Sequence, residues 1–215
     1  HTIYKTGVEV EAMHGASLVA LTIYDMLKPL DKGIEISTTK LAEKKGGKTD
    51  YSAIPTDQVK TAIIVCSDTV AAGRSEDQSG KEIAVKIAAY NLVPDQVIVI
   101  PDDLATIQET VKTLATNGYR LAIFSGGTGL SPRDITPEAI APLLDREIPG
   151  IMETARKYGQ DRMPYAMLSR GIAGFVGEML VLTLPGSPRG ASETIDALFP
   201  QLLHVFRVVT GERHQ

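Results

Sequence analysis

Apolar residues in this chain gather in short blocks divided by polar, glycine-bearing turns. Residues 62–66, 97–100, 121–124 and 179–184 are almost unbroken hydrophobic runs of strand length. Such runs predict strands buried on both faces, as in a parallel sheet. Between them apolar positions recur at three and four, which predicts an amphipathic helix opening at 79–82 and another over 104–116. Ser79 followed by Glu82 reads as a capping box, and Asn117-Gly118 as a stop. A last helix is expected over 192–209, broken or kinked near Pro200. Strands alternating with helices predict an α/β fold of layers around a mostly parallel sheet.

Ahead of residue 59 the pattern changes. Residues 6–11 alternate apolar and polar, predicting a strand with Glu9 and Glu11 on one face. Ala12, Ala16, Val19, Ala20, Ile23 and Leu27 then recur at helical spacing, and Pro29 closes that helix. Asp25 and Lys28 fall three apart on one side of it, as a solvated ion pair would. Residues 45–58 are polar, hold Gly and Pro, and have no period, which is linker composition. The expected organisation is a first segment over 1–52, a linker over 53–58 and a domain over 59–215.

Composition narrows the function classes. The 215 residues carry a net charge of −4, against the basic face that nucleic-acid binding needs. One cysteine, Cys66, rules out an internal disulfide, and scattered histidines offer no zinc spacing. No run is long enough to span a membrane and no signal peptide is visible, so a cytoplasmic protein is expected.

Candidate chemistry sits where the strands end. The run at 121–124 stops at Ser125-Gly126-Gly127-Thr128-Gly129, followed by Arg133 and Asp134. Glycines allow positive φ and let a ligand approach bare backbone, so the turn can aim amides at an anion. The loop lacks the Gly-Lys-Ser/Thr of a Walker A loop and the GxGxxG of a dinucleotide loop, and a bare GGxG is also an ordinary turn. The other runs end in Ser67-Asp68, Asp102-Asp103 and Pro185-Gly186-Ser187. Parallel strands bring their carboxyl ends to one edge, so these groups are expected to converge. Asp102 and Asp134 also have plain readings, as helix caps.

Two motifs then carry a resemblance. SGGTGLSPRDITPEA (125–139) and LPGSPRGA (184–191) resemble the signatures of the molybdopterin-binding, adenylyltransferase family of molybdenum cofactor biosynthesis, the MoaB/Mog type shared by one domain of gephyrin. The resemblance implies a three-layer α/β/α sandwich and adenylyl transfer from ATP to molybdopterin with Mg2+. It implies catalytic and metal-holding roles for Asp102 and Asp134, with Asp68 and Asp103 as lesser candidates for the same shell. Gly126, Gly127, Thr128 and Gly129 would offer amides. Arg133 would neutralise a phosphate or pair with Asp134. Ser67, Ser125, Ser169, Gly186 and Ser187 complete the expected pterin and phosphate contacts. Alternatives are a non-catalytic molybdopterin carrier and a nucleotide- or nicotinamide-processing hydrolase on the related competence-associated fold.

The first segment carries a second resemblance. TGVEVEAM (6–13), LVALTIYDMLK (18–28), DKG (31–33) and EKKGGK (43–48) resemble the C-terminal part of cyclic pyranopterin monophosphate synthase, the MoaC family, a partial α+β unit. That family's pattern implies substrate contacts at Val10, Glu11 and Lys44 and catalytic roles for Asp25 and Lys28. The family's N-terminal portion, with further catalytic Lys and His groups, is not in this sequence, so this segment alone is expected to be inactive. Both families imply threefold assemblies, a homotrimer or a hexamer, with other molybdenum cofactor enzymes as further partners.

Overall fold

The computed structural model describes residues 8–42 and 59–209. The chain divides between Ala53 and Ile54 into two units. In the first, helix α1 (Glu9–Leu27) runs 19 residues with none buried. Of the strand expected over 6–11, residues 6 and 7 lie outside the described residues, and residues 9–11 open this helix instead. Six alternating residues are too few to fix a period, and two effects favour the helix. Glu9 and Glu11 lie at its positive N-terminal end, and Ala12, Ala16 and Ala20 are strong helix formers. Positions two apart in sequence are about 200° apart around a helix, so Glu9 and Glu11 do not share a face. The Lys28 amide closes the last turn on Tyr24 O at 2.9 Å, directly before Pro29.

The described residues of the second unit form a six-stranded sheet. Its strands are β1 (Thr61–Cys66), β2 (Gln96–Ile100), β3 (Leu121–Ser125), β4 (Arg146–Glu147), β5 (Ala173–Val176) and β6 (Met179–Leu184), in the order β2-β1-β3-β6-β5-β4. β2, β1, β3 and β6 are parallel. β5 runs antiparallel to β6, and β4 to β5, so the sheet is mixed. The helices are α2 (Asp68–Ala71), α3 (Ser79–Ala88), α4 (Leu104–Thr116), α5 (Thr136–Ile140), α6 (Pro149–Gln160), α7 (Pro188–Leu198) and α8 (His204–Val209).

Every residue of β1, β3 and β6 is buried, because helices cover both faces. Side chains alternate between two cores. Ile63, Ile123 and Leu182 pack with residues of α3, α6, α7 and α8, while Ile64, Phe124 and Val181 pack with residues of α4 and α5. The result is an α/β/α sandwich whose strand ends share one rim. No described helix is long and apolar enough to cross a membrane.

Two local expectations change. Ser79 does not cap α3; Asp77 Oδ1 accepts the Gly80 amide at 2.8 Å and the Ser79 hydroxyl at 3.4 Å. Glu82 instead accepts from the Ser192 hydroxyl at 3.0 Å. The final helix starts earlier than 192, at Pro188, where Ser187 accepts the Gly190 amide and Pro188 needs no donor of its own. The break near Pro200 is present as a short 3-10 turn, Gln201–Leu203.

Candidate active site

The ends of β1 and β2 are cross-braced. The Asp68 amide donates to Asp102 Oδ2, and the Asp102 amide donates to Asp68 Oδ1, each at 3.1 Å. The second Asp68 oxygen meets the Arg133 guanidinium. Arg133 thus pairs with Asp68, not with Asp134 as the loop sequence allowed. Ser67 caps α2 through Val70 N.

Asp102 and Asp103 diverge although adjacent. Asp103 is the cap of α4, accepting from the Thr106 amide at 2.8 Å and its hydroxyl at 2.7 Å. Those bonds hold its carboxyl below the usual range. The capping reading considered for Asp102 belongs to Asp103, which leaves Asp103 spoken for by α4 rather than by the shell proposed for it. Asp102 Oδ1 is buried without a hydrogen-bond partner. Burial first, and the charge of Asp134 second, push its carboxyl above the ordinary value.

The glycine loop lies against these carboxylates. Gly126 and Gly127 have φ of 107° and 62°. A Cβ on Gly126 would stand 2.2 Å from Cys66 O, so only glycine passes the end of β1. A Cβ on Gly127 would stand 3.3 Å from Asp102 Oδ1, and one on Gly129 would stand 2.8 Å from Asp134 Oδ2. The two aspartates therefore face bare backbone of one loop. Asp134 also accepts the Ser131 amide at 2.8 Å, closing the turn between them. The Gly126 amide is not available to a ligand, since it donates to Leu184 O at 3.1 Å; Gly126 serves the turn's shape.

The loop after β6 packs on the same turn. Ser125 Oγ donates to Pro185 O at 3.1 Å, and a Cβ on Gly186 would stand 3.1 Å from Gly126 Cα. Beside it opens a cavity of about 200 Å³ lined by Met152, Arg156, Tyr165, Ser169, Ser187 and Glu193, among others. The structure thus gathers Ser67, Asp68, Asp102, Ser125, Gly126, Gly127, Thr128, Gly129, Arg133, Asp134 and Gly186 on one rim, with Ser169 and Ser187 in the adjoining cavity.

Sequence reasoning misses Arg170. Its amide donates to Thr128 O at 3.0 Å and its Nε to Gly129 O at 2.6 Å. Its guanidinium also reaches Asp134 O and the Glu138 carboxylate. It clamps the glycine loop from a distant segment, and its only sequence signal is its place next to Ser169. Arg156, which donates to Gly171 O at 3.2 Å on the cavity wall, has no sequence signal at all.

The residues singled out in the first segment belong to the other unit. Val10 and Glu11 are exposed on α1. Asp25 and Lys28 form an exposed i,i+3 ion pair, and the bond to Asp25 raises the Lys28 pKa. Lys44 lies outside the described residues.

No group of three or more His, Cys, Asp or Glu is arranged to hold a metal among the described residues. Magnesium asks for less. It keeps several waters and takes one or two carboxylates together with substrate phosphates. An unpartnered Asp102 oxygen beside the bare backbone of Gly127, with Asp134 beside Gly129 of the same loop, fits that demand.

Comparison with known proteins places the chain. Residues 62–204 match the model of the family described as "Probable molybdopterin binding domain", and residues 1–47 match the MoaC family. The molybdenum cofactor biosynthesis bifunctional protein of Chlorobaculum tepidum is 38% identical over 210 residues, covering 98% of this chain and 66% of that protein. The protein of the same name from Synechococcus elongatus is 36% identical, covering 99% and 70%. The chain spans about two thirds of the length of these relatives. The molybdopterin adenylyltransferase of Haemophilus influenzae is 34% identical over 65% of this chain and 73% of that protein. Among solved structures, the molybdopterin biosynthesis enzyme MoaB of Thermus thermophilus is 39% identical with a TM-score of 0.68, covering 73% of this chain and 99% of that one.

Proposed function

The chain belongs to the molybdopterin-binding domain family and carries a MoaC-family segment ahead of that domain, and from this premise we propose that it serves molybdenum cofactor biosynthesis by adenylylating molybdopterin with ATP. The observation that carries the reading is the buried, partnerless Asp102 Oδ1 facing the Gly127 turn. A desolvated carboxylate oxygen with no donor is costly to keep unless a cation arrives. Asp102 and Asp134 would hold Mg2+, which offsets the charge that builds on phosphoryl oxygens during transfer.

The remaining roles belong to the chain's own groups. Asp68 fixes Asp102 through the paired amide bonds, so the carboxylate's direction is set before substrate binds. Arg133, whose side chain is 71% exposed and meets Asp68 at its tip, can turn to a phosphate. Arg170 keeps the loop from opening. The cavity with Met152, Tyr165, Arg156 and Ser169 has the apolar walls and few polar groups that suit a heteroaromatic ring, so the pterin or the adenine is placed there. The MoaC-family segment adds a pyranopterin synthase part to the same protein, with Val10, Glu11, Asp25, Lys28 and Lys44 as its contribution. A linker at 53–58 and a trimeric or hexameric assembly complete the reading.

Incubating the full chain with ATP, Mg2+ and molybdopterin should yield adenylylated molybdopterin and pyrophosphate. Asp102→Ala should abolish turnover while molybdopterin still binds. Tight pterin binding by the wild type without any product would overturn the transferase reading in favour of a carrier.

A further inference from the structure

Three buried side-chain polar atoms have no hydrogen-bond partner among the described residues: Asp102 Oδ1, Thr136 Oγ1 and Arg120 Nε. The last belongs to a guanidinium that already pairs with Glu178. The first two meet at one place. A Cβ on Gly127 would stand 2.2 Å from Thr136 Oγ1 and 3.3 Å from Asp102 Oδ1. Both backbones there are fixed. The Thr136 amide donates to Gly127 O at 3.1 Å, and the Asp102 amide is held by Asp68.

Thr136 is fully buried at the start of α5, yet the helix makes no use of its hydroxyl. The capping position is Ile135, and no side-chain cap bond exists. The Cys66 thiol is the hydroxyl's other neighbour; burial pushes its pKa up to about 12, so it stays neutral and a weak partner. Valine would fill the same space without hiding a polar group, so a hydroxyl kept here costs stability for something other than folding. The strong acceptor nearby that lacks a donor is Asp102 Oδ1.

We propose that Thr136 is a positioning residue for Asp102: its hydroxyl, unbonded in this structure, turns to donate to Oδ1 when the divalent cation is held and so sets how that oxygen is presented to the cation. The inference rests on the magnesium-dependent reading above and adds to it a residue that does not touch the substrate. Partners of this kind, one step behind a metal ligand, typically change metal affinity or activity about 10–100-fold when removed.

The test uses the full chain with a non-hydrolysable ATP analogue and Mn2+ as the probe, titrated by calorimetry. Thr136→Val should weaken Mn2+ binding about tenfold and raise the Mg2+ needed for half-maximal adenylyl transfer similarly. Its melting temperature without ligands should be unchanged or higher, since an unpaired buried group is gone. Thr136→Ser should restore wild-type Mn2+ affinity. Equal affinity in the wild type and Thr136→Val overturns the inference, and so does a loss in both variants accompanied by lower melting temperatures, which marks a packing role. If the valine protein does not fold, Thr136→Ala carries the same comparison against Thr136→Ser. Failure of the wild type to bind Mn2+ with the analogue overturns the cation reading itself.

Discussion

Helix α1 and the rim of the sheet both carry residues that a motif picks out, and the structure treats them in opposite ways. On the rim each candidate is held by neighbours: Asp102 by Asp68, Gly126 by Cys66 O and Leu184 O, the loop by Arg170. On α1 no residue is buried, and Leu18, Val19, Leu21 and Ile23 are all more than half exposed. Asp25 and Lys28 meet each other at the surface. A motif can therefore identify residues without containing what orients them. The rim's supports come from its own unit; supports for α1 are not found among the described residues.

The sharpest way to break this contrast is to place a methyl group in each region. Gly126→Ala forces a side chain at φ 107°, 2.2 Å from a backbone carbonyl that cannot move without opening β1. Strain and overpacking together should cost roughly 2–5 kcal/mol, read as a lowered urea midpoint, and adenylyl transfer should disappear. Gly15→Ala in α1 has nothing within 4 Å of the new Cβ. It should instead gain up to about 1 kcal/mol of helix propensity, read as increased far-ultraviolet helicity. Tolerance of Gly126→Ala would mean that the rim is no more constrained than α1.

A smaller effect separates two neighbours within the rim. Because burial raises the Asp102 pKa above its ordinary 3.8, the fold prefers the protonated carboxyl. Its favourable contribution is complete below 3.8 and is lost as pH rises through the raised folded value. At pH 7 the charged group is a burden, so Asp102→Asn should raise the melting temperature while abolishing transfer. The gain should shrink as the buffer is taken down toward 3.8. Asp103 runs the other way. Its lowered pKa means that its contribution is present above 3.8 and fades as pH falls through the folded value. Asp103→Ala should lower the melting temperature at neutral pH and matter little in acid, with transfer largely kept. Matching behaviour of the two would remove the distinction between cap and site.

How far the sequence could go follows from the range of each interaction. The four parallel strands were legible within a residue because continuous apolar runs are what two-sided burial requires. β4 and β5 were not, being two and four residues long with no turn signature beyond Gly177. Convergence of Asp68, Asp102, Ser125 and Gly186 followed from parallel order alone. Arg170 and Thr136 did not, because what they do is set by the glycine loop carbonyls and by Asp102, far away in the chain. The amide of Gly126 escapes the sequence for the same reason: its acceptor, Leu184 O, is known only once β6 is seen beside β3.

The smallest predicted effect bears on the other side of the contrast. The Asp25 and Lys28 side chains are 72% and 53% exposed, so water and salt screen their attraction and either can rotate away. Asp25→Asn and Lys28→Ala should leave the melting temperature within error and should not alter adenylyl transfer by the second unit. Their separate effect would appear only in synthase activity, where the family pattern places them. A fall in adenylyl transfer on Asp25→Asn would show that the surface of α1 is coupled to the rim, and the two regions would then have to be read as one site.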